Sequence, residues 1–417
     1  MSIRVDTDPA GNPLDRFGLS KPVWLLGWIS LFTDSASEMV YPLLPLFLTR
    51  VLGASAMSLG VIEGVAEGTS SILKIVSGWL SDRTGTPKRL VVAGYGLSSL
   101  TRPLISFVTA WPQVLALRFV DRVGKGVRTS PRDAMLANFA PETLRGRVFG
   151  FHRAMDHSGA VAGPLFAAVY LHYHPDAYRS LFTWTLVPGL IVVALTLTLP
   201  ASRLRRKSAA SSGTSAPKDS SGTAPHGPRI ALGSRFYTAM AVITLFALGN
   251  ASDSFILLRL SNLGVAAAWI PLLWSALHVV KMIFSIAGGA ASDRFGRRTL
   301  IALGYLWYAA IYGAFAYLTT IGWTVVVFLA YGVYFGLTEG VEKAWVADMA
   351  PRDAGGIAFG IYNAAIGFGG LAASVLFGWI WTRVSPSAAF LTGACLALAA
   401  SLLLYFMFSD ATNTRHQ

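Results

Sequence analysis

Apolar residues in this chain come in runs of membrane-crossing length, and that limits the folds open to it more than any other feature. IVVALTLTLP ends at Pro200, and LTGACLALAASLLLYFMF fills positions 391–408. A helix rises about 1.5 Å per residue, so runs near ~20 residues match the ~30 Å hydrocarbon core of a bilayer. Over 417 residues the chain is 53% hydrophobic and 13% charged, where a soluble protein carries roughly a quarter charged residues. Its mean hydropathy is +0.53. The expected class is an all-α membrane protein that crosses the bilayer many times.

Apolar spans and polar breaks predict twelve helices, over residues 23–49, 57–80, 89–109, 112–138, 146–172, 180–199, 235–259, 268–291, 299–319, 322–347, 355–381 and 387–408. The stretch SAASSGTSAPKDSSGTAPHGP (Ser208–Pro228) is rich in Ser, Gly, Pro and Thr. It cannot bury a core and reads as a flexible linker. The expected organisation is a cytoplasmic tail (1–22), a six-helix bundle (23–199), the cytoplasmic linker (200–234), a second six-helix bundle (235–408) and a cytoplasmic tail (409–417).

The net charge of +13 suggests nucleic acid at first sight, but its placement argues against that. Basic residues cluster in alternate loops: Arg83, Lys88 and Arg89; Arg145 and Arg147; Arg203, Arg205, Arg206 and Lys207; Arg294, Arg297 and Arg298. Intervening loops such as TAWPQ and LTTIGW have none. This alternation predicts both termini in the cytoplasm and a multi-pass protein of the cell (inner) membrane. The single cysteine, Cys395, allows no intramolecular disulfide, and the polar N-terminus lacks the apolar core of a cleavable signal.

The halves repeat. GWLSDRTGTPKRLVVAGYG (Gly78–Gly96) recurs as GAASDRFGRRTLIALGY (Gly289–Tyr305), and NFAPETLRGRVFG (Asn138–Gly150) is echoed by DMAPRDAGGIAFG (Asp348–Gly360). Two related halves point to a transporter with a central site between them. Here the sequence resembles the major facilitator superfamily. Gly78, Asp82, Arg83, Gly85 and Arg89 fit its loop 2–3 signature, and Gly289, Asp293, Arg294, Gly296 and Arg298 fit the second copy in loop 8–9. Gly85 and Gly296 suit tight turns, and each Asp can accept bonds from a helix N-terminus or an arginine. The resemblance implies that these loops latch the halves together in one conformation. Topology anchoring alone would account for the arginines but not easily for the aspartates.

In the fifth span, Gly150, Gly159, Gly163 and Pro164 resemble the antiporter motif of drug exporters in this superfamily. Ala167 and Ala168 stand where that pattern has two more glycines. Ordinary close helix packing is the alternative reading of these small residues. Asp34, Pro42 and Pro45 resemble the first-span arrangement of such exporters, and Arg118 aligns with their fourth-span arginine, associated with proton coupling. Arg122 replaces the usual glycine, and Lys125, Arg128 and Arg132 are additions that a pump for lipophilic cations would not want. This fourth-span stretch is similar to the branch that includes siderophore exporters.

At 100° per residue, Arg118, Arg122, Lys125, Arg128 and Arg132 fall within about 120° of one helix face, over about 21 Å. Each would cost roughly 2.5–3.5 kcal/mol facing lipid, so the stripe must face a wet cavity, counter-charges or the cytoplasmic mouth. Counter-charges are available in Asp34 and Glu38, with Tyr41 on the same face, in Glu63 and Glu67, and in Asp121, which can reach Arg118 or Lys125 within its helix. Arg153, Asp156 and His157 add to the same half. Asn250, Asp253, His278 and Lys281 are candidate cavity groups of the second half, while Glu339, Glu342 and Lys343 read as a local pair plus mouth residues. A buried ion-pair network that only fixes packing competes with a substrate and proton site throughout. It is the favoured reading for Arg128, Arg132 and Asp133, and the functional one for Asp34, Glu38, Arg118 and Arg122.

Surplus cations favour an anionic or amphiphilic substrate. The expected function is a monomeric, proton-coupled antiporter that exports a metabolite, siderophore or drug, with the proton gradient as energy source and no cofactor or metal. A symporter importing an organic anion or loaded siderophore is the nearest alternative, and a non-transporting membrane receptor is the alternative of a different class. The seven histidines show no catalytic spacing, so an enzyme is not expected.

Overall fold

The computed structural model describes residues 7–44, 47–54, 56–200, 232–265, 269–351 and 353–407. Most of the predicted linker lies outside them, as do residues 1–6 and 408–417. Fourteen α-helices are described: α1 (Lys21–Glu38), α2 (Ala56–Thr84), α3 (Pro87–Leu104), α4 (Trp111–Phe139), α5 (Arg145–Tyr173), α6 (Tyr178–Trp184), α7 (Leu186–Thr198), α8 (Ser234–Gly249), α9 (Ser254–Asn262), α10 (Ile270–Phe295), α11 (Arg297–Tyr317), α12 (Ile321–Met349), α13 (Gly355–Arg383) and α14 (Pro386–Met407). Among the described residues each predicted span falls mainly on helix.

Three spans are broken rather than continuous. The first stops as an α-helix at Glu38 and goes on as a 3₁₀ turn (Tyr41–Leu43) and a π-turn (Phe47–Val51). Pro42 lacks an N–H and cannot extend the regular ladder. The sixth divides at Thr185 into α6 and α7, and the seventh at residues 250–253 into α8 and α9. Tight turns join other helices: Gly85 (φ +63°) follows α2, and Gly296 (φ +90°) separates α10 from α11. Both are conformations that only glycine adopts readily.

Helix pairing follows the repeat. In the first half α4 lies between α2 and α3, and α1 packs on α5; in the second half α12 lies between α10 and α11, and α8 packs on α13. Two contacts join the halves most closely, α5 with α10 and α2 with α13. Large apolar side chains such as Val169, Leu371, Val375 and Trp379 point outward, as a lipid-facing surface requires.

Seven helical segments among the described residues are apolar enough by length and composition to cross a membrane, one in the first half and six in the second. The other first-half spans miss that standard, and α4 shows why. Its charges are turned inward: Arg118, Asp121, Arg122, Arg128, Arg132 and Asp133 are all buried, while Phe119 on the opposite side is exposed.

Candidate functional site

The break after α1 frees Tyr41 to turn over the α4 stripe. Its ring centroid lies 3.8 Å from the Arg118 guanidinium carbon and 5.1 Å from that of Arg122, and its hydroxyl donates to Asp121. A cation over a tyrosine face gains about 2 kcal/mol where water is excluded. The expected intrahelical partners of Asp121, Arg118 and Lys125, are not the ones it takes. Its carboxylate pairs with Arg102 of α3 (Nε–Oδ1 3.3 Å) and lies 4.0 Å from Arg122. Arg102 also donates to the Thr33 carbonyl at 2.9 Å, which ties α3 to α1. The sequence reading passed over Arg102, although an arginine inside a predicted span is itself a signal. Arg128 bonds Ser98 Oγ (2.6 Å) beneath the Tyr95 ring, so it is a packing residue of the α3–α4 seam.

Asp34 and Glu38 sit on the α1 face that meets α5. A Cβ at Gly159 would overlap the Leu31 carbonyl and crowd Asp34, and one at Gly163 would do the same at Ser35 and Glu38. The glycines therefore let the α5 backbone lie directly on α1 beside the two carboxylates. Pro164 is accommodated within the helix one residue later. Asp34 faces Lys125, Arg128 and Asp156; Glu38 faces Lys125, Arg122, Arg102 and Arg118. Among the described residues no hydrogen bond or ion pair joins either carboxylate to Arg118 or Arg122, so the expected pairing is an electrostatic facing in this conformation rather than a contact. Asp156 accepts from Ser30 and from Arg153 (2.9 Å), with His152 Nδ1 3.6 Å away. The side chains of Glu63 and Glu67 lie outside the described residues.

Between the halves the charges meet directly. Asp133, fully buried, accepts from Lys343 Nζ at 2.6 Å and pairs with Arg132 at 2.9 Å. Asp133 and Lys343 are 210 positions apart, the same offset that relates Asn138–Gly150 to Asp348–Gly360. Equivalent residues of a two-fold repeat touch where its axis passes, so this pair marks the centre of the interface. His157 lies near the same seam, its Nε2 3.2 Å from Glu339 and its Nδ1 3.3 Å from His278 Nδ1 of α10. The two facing nitrogens can share one proton but not hold one each. Glu342 accepts from Tyr305 and Tyr362 hydroxyls, each at 2.9 Å. The expectation of a local pair plus mouth residues is thus corrected: Glu339 and Lys343 bond across to the first half, and Glu342 bonds neither of them.

In the second half, tyrosines of α11 and α12 gather at the break between α8 and α9, one bonding a backbone carbonyl and two bonding side chains. Tyr308 donates to the Gly249 carbonyl, Asn250 to Tyr334 at 3.3 Å, and Tyr331 to Asp253 at 2.8 Å. Lys281 Nζ is 3.4 Å from Asp253 and 3.5 Å from the Phe335 centroid, with Trp274 at 5.3 Å. Asn250, Asp253, His278 and Lys281 therefore line one connected region. Tyr308 itself is fully buried core.

The loop aspartates make symmetric bonds. Asp82 accepts from the Gly356 and Ile357 amides at the start of α13, and Asp293 from Gly146 and Arg147 at the start of α5. A carboxylate is favourable there because the first amides of a helix lack internal partners. Of the arginines read as latch residues, Arg83 lies over Trp79, Arg294 over Phe295, Arg89 is exposed and Arg298 half-buried. The bonding cations are Arg297, which reaches Asp293 and Asp348, and Arg145, 2.7 Å from Asp348. Gly78 against Gly356, and Gly146 and Gly150 against Gly289, bring the helices into backbone contact at the same end. The end bearing these basic loops is closed. Asp293→Ala removes the acceptor of three donors and is expected to weaken this closed state about 5–150-fold. Spin-label distances across that end measure it, and an unchanged distribution would remove Asp293 from the latch.

The arrangement puts ionisable groups on both sides of a seam that is shut at one end. The Major Facilitator Superfamily description matches residues 23–341 and again 257–417. An uncharacterized MFS-type transporter of Methanocaldococcus jannaschii is 31% identical over 402 residues, 95% of this chain and 97% of the relative. Multidrug resistance protein MdtG of Proteus mirabilis is 29% identical over 38% of this chain and 40% of its own length. The crystal structure of the human organic anion transporter MFSD10 (TETRAN) superposes with a TM-score of 0.72 at 14% identity, covering 92% of this chain and 98% of that one, and shows the same fold.

Proposed function

This chain belongs to the Major Facilitator Superfamily of membrane transporters, and from that premise we propose that it is a proton-coupled antiporter exporting an anionic or amphiphilic small molecule. The observation behind the reading is the facing of carboxylates by cations on one seam, Lys125 and Arg128 at Asp34, and Lys125, Arg122, Arg102 and Arg118 at Glu38. A carboxylate there has two competitors, a proton and the neighbouring cations, and the cations have two as well, the carboxylates and a substrate anion. Antiport requires that proton and substrate exclude each other there: a substrate held by the ionised carboxylate together with its cations leaves when Asp34 or Glu38 takes a proton, and deprotonation restores the site. The close packing of Gly159 and Gly163 on α1, together with the similarity to MdtG over part of the chain, supports export. Two six-helix halves joined by residues 200–234 rock about the Asp133–Lys343 centre. Both termini and the basic loops lie on the cytoplasmic side of the inner membrane, and the unit is a monomer.

Import of an organic anion or loaded siderophore with a proton is the second reading, favoured by the same surplus of cations. Counterflow in proteoliposomes under pH gradients of each sign separates the two. In that assay Asp34→Asn with Glu38→Gln is expected to abolish proton-driven transport, and Arg122→Ala to abolish binding of an anionic solute by thermal shift. Full proton-driven transport in the double variant would sink the proton assignment.

A further inference from the structure

Asp121, Asp133, Asp156, Asp293 and Asp348 each lie within ion-pair distance of a cation, and Glu342 is bonded differently. Its residue is 4% exposed, each oxygen accepts one phenol hydroxyl, and among the described residues no cation lies within ion-pair distance of it. Arg153 of α5 and Glu339 of its own helix are the charged groups that face it, beside Tyr334. An ionised carboxylate in such a place is costly unless a counter-charge comes close, whereas the neutral acid keeps both hydroxyl partners, because its oxygens still have lone pairs to offer. The nearest counter-charge in sequence is Lys343, and it is engaged elsewhere, held by Asp133 of the other half with Arg132 and Asn363 alongside.

We propose that Glu342 is a proton-binding site of the second half, distinct from the carboxylates of α1, and that its occupancy is tied to the ion pair between the halves. While the basic end is closed, Asp133 holds Lys343, and Glu342 keeps its proton on one carboxyl oxygen. When the halves part, Lys343 loses Asp133 and becomes an uncompensated cation one residue from Glu342. The acid O–H bond then breaks, the proton passes to water entering the opened seam, and the carboxylate is left with Tyr305 and Tyr362 still donating and the freed ammonium group as counter-charge at the next helix position. Proton binding at Glu342 and closure of the basic end therefore favour each other, as linkage requires. The site rests on the proton-coupled reading and adds to it a second proton position and the conformation that fills it.

The test uses the full-length protein in lipid without substrate. Infrared difference spectra over a pH titration report the carbonyl stretch of a protonated carboxyl group, and spin labels at positions 83 and 353 report closure. Wild type is expected to show an acid band that fades as pH rises while the closed fraction falls. In Glu342→Gln that band is absent and the labels stay at the closed distance throughout. Tyr362→Phe removes a donor to the ionised form, so the band should fade at higher pH than in wild type. A band and pH response in Glu342→Gln identical to wild type overturn the proposal. So does an unmoved midpoint in Tyr362→Phe, which decides the matter if the glutamine variant does not fold. Loss of transport with the Glu342 band intact would count against the wider reading alone, and absence of the band with transport intact against this site alone.

Discussion

Asp133→Ala is expected to destabilise the protein by about 3–5 kcal/mol, the cost of leaving a buried charge without its partner. Asp133 has no exposure and Lys343 is 2% exposed, so water cannot replace the lost carboxylate. Arg132 is stranded by the same change, because its guanidinium bonds Asp133 through Nε and Nη2. Thermal unfolding of the purified protein in detergent measures the loss. Replacing all three, with Arg132→Met, Asp133→Leu and Lys343→Met, should recover most of it, because no member of this cluster is then left as an unpaired charge. That contrast separates an ion pair needed for stability from one needed for switching. The triple variant should unfold near the wild-type temperature yet lose the preference for the closed basic end. A loss below about 0.5 kcal/mol for Asp133→Ala, the level of an exposed pair, would mean that water reaches the centre of the seam.

Gly78→Val should open the basic end. A Cβ at Gly78 would lie 2.7 Å from the Gly356 carbonyl carbon and closer still to its oxygen, and backbone on both sides cannot step aside. The overlap exists only when α2 and α13 are together, so the overpacking cost of about 1–3 kcal/mol falls on the closed state alone. That corresponds to a 5–150-fold drop in the closed population, read from spin labels at positions 83 and 353. Gly96→Val in α3, where an added Cβ meets nothing within 4 Å, serves as the control and should leave the distances unchanged. Closed distances persisting in Gly78→Val would show that the glycine contact does not limit closure.

These two experiments fall on features with different legibility. Gly78 could be singled out because it stands in a stretch that the second half repeats, and repeated small residues between polar loops mark helix crossings. Asp133 and Lys343 could each be seen as charges inside predicted spans, yet nothing local to either announced the other. Arg102 is hidden from the sequence for the same reason: its partner Asp121 lies on another helix, and helical spacing relates only charges of one segment. Glu342 was grouped with Glu339 and Lys343 because they are neighbours in sequence, although their side chains leave the helix in different directions and bond to different elements.

By itself the sequence determined what depends on local composition and period: the membrane-spanning helices, the two related halves, the inward face of the α4 stripe and the glycines of the loops. These follow from apolar run length and from the 100° step of a helix, which act within one segment. Tertiary structure alone decided which charge answers which, where the first, sixth and seventh spans break, and that Arg297 rather than Arg294 or Arg298 closes the loop contact. Ion pairing across a seam depends on distances between helices, and those are set by packing the whole bundle at once.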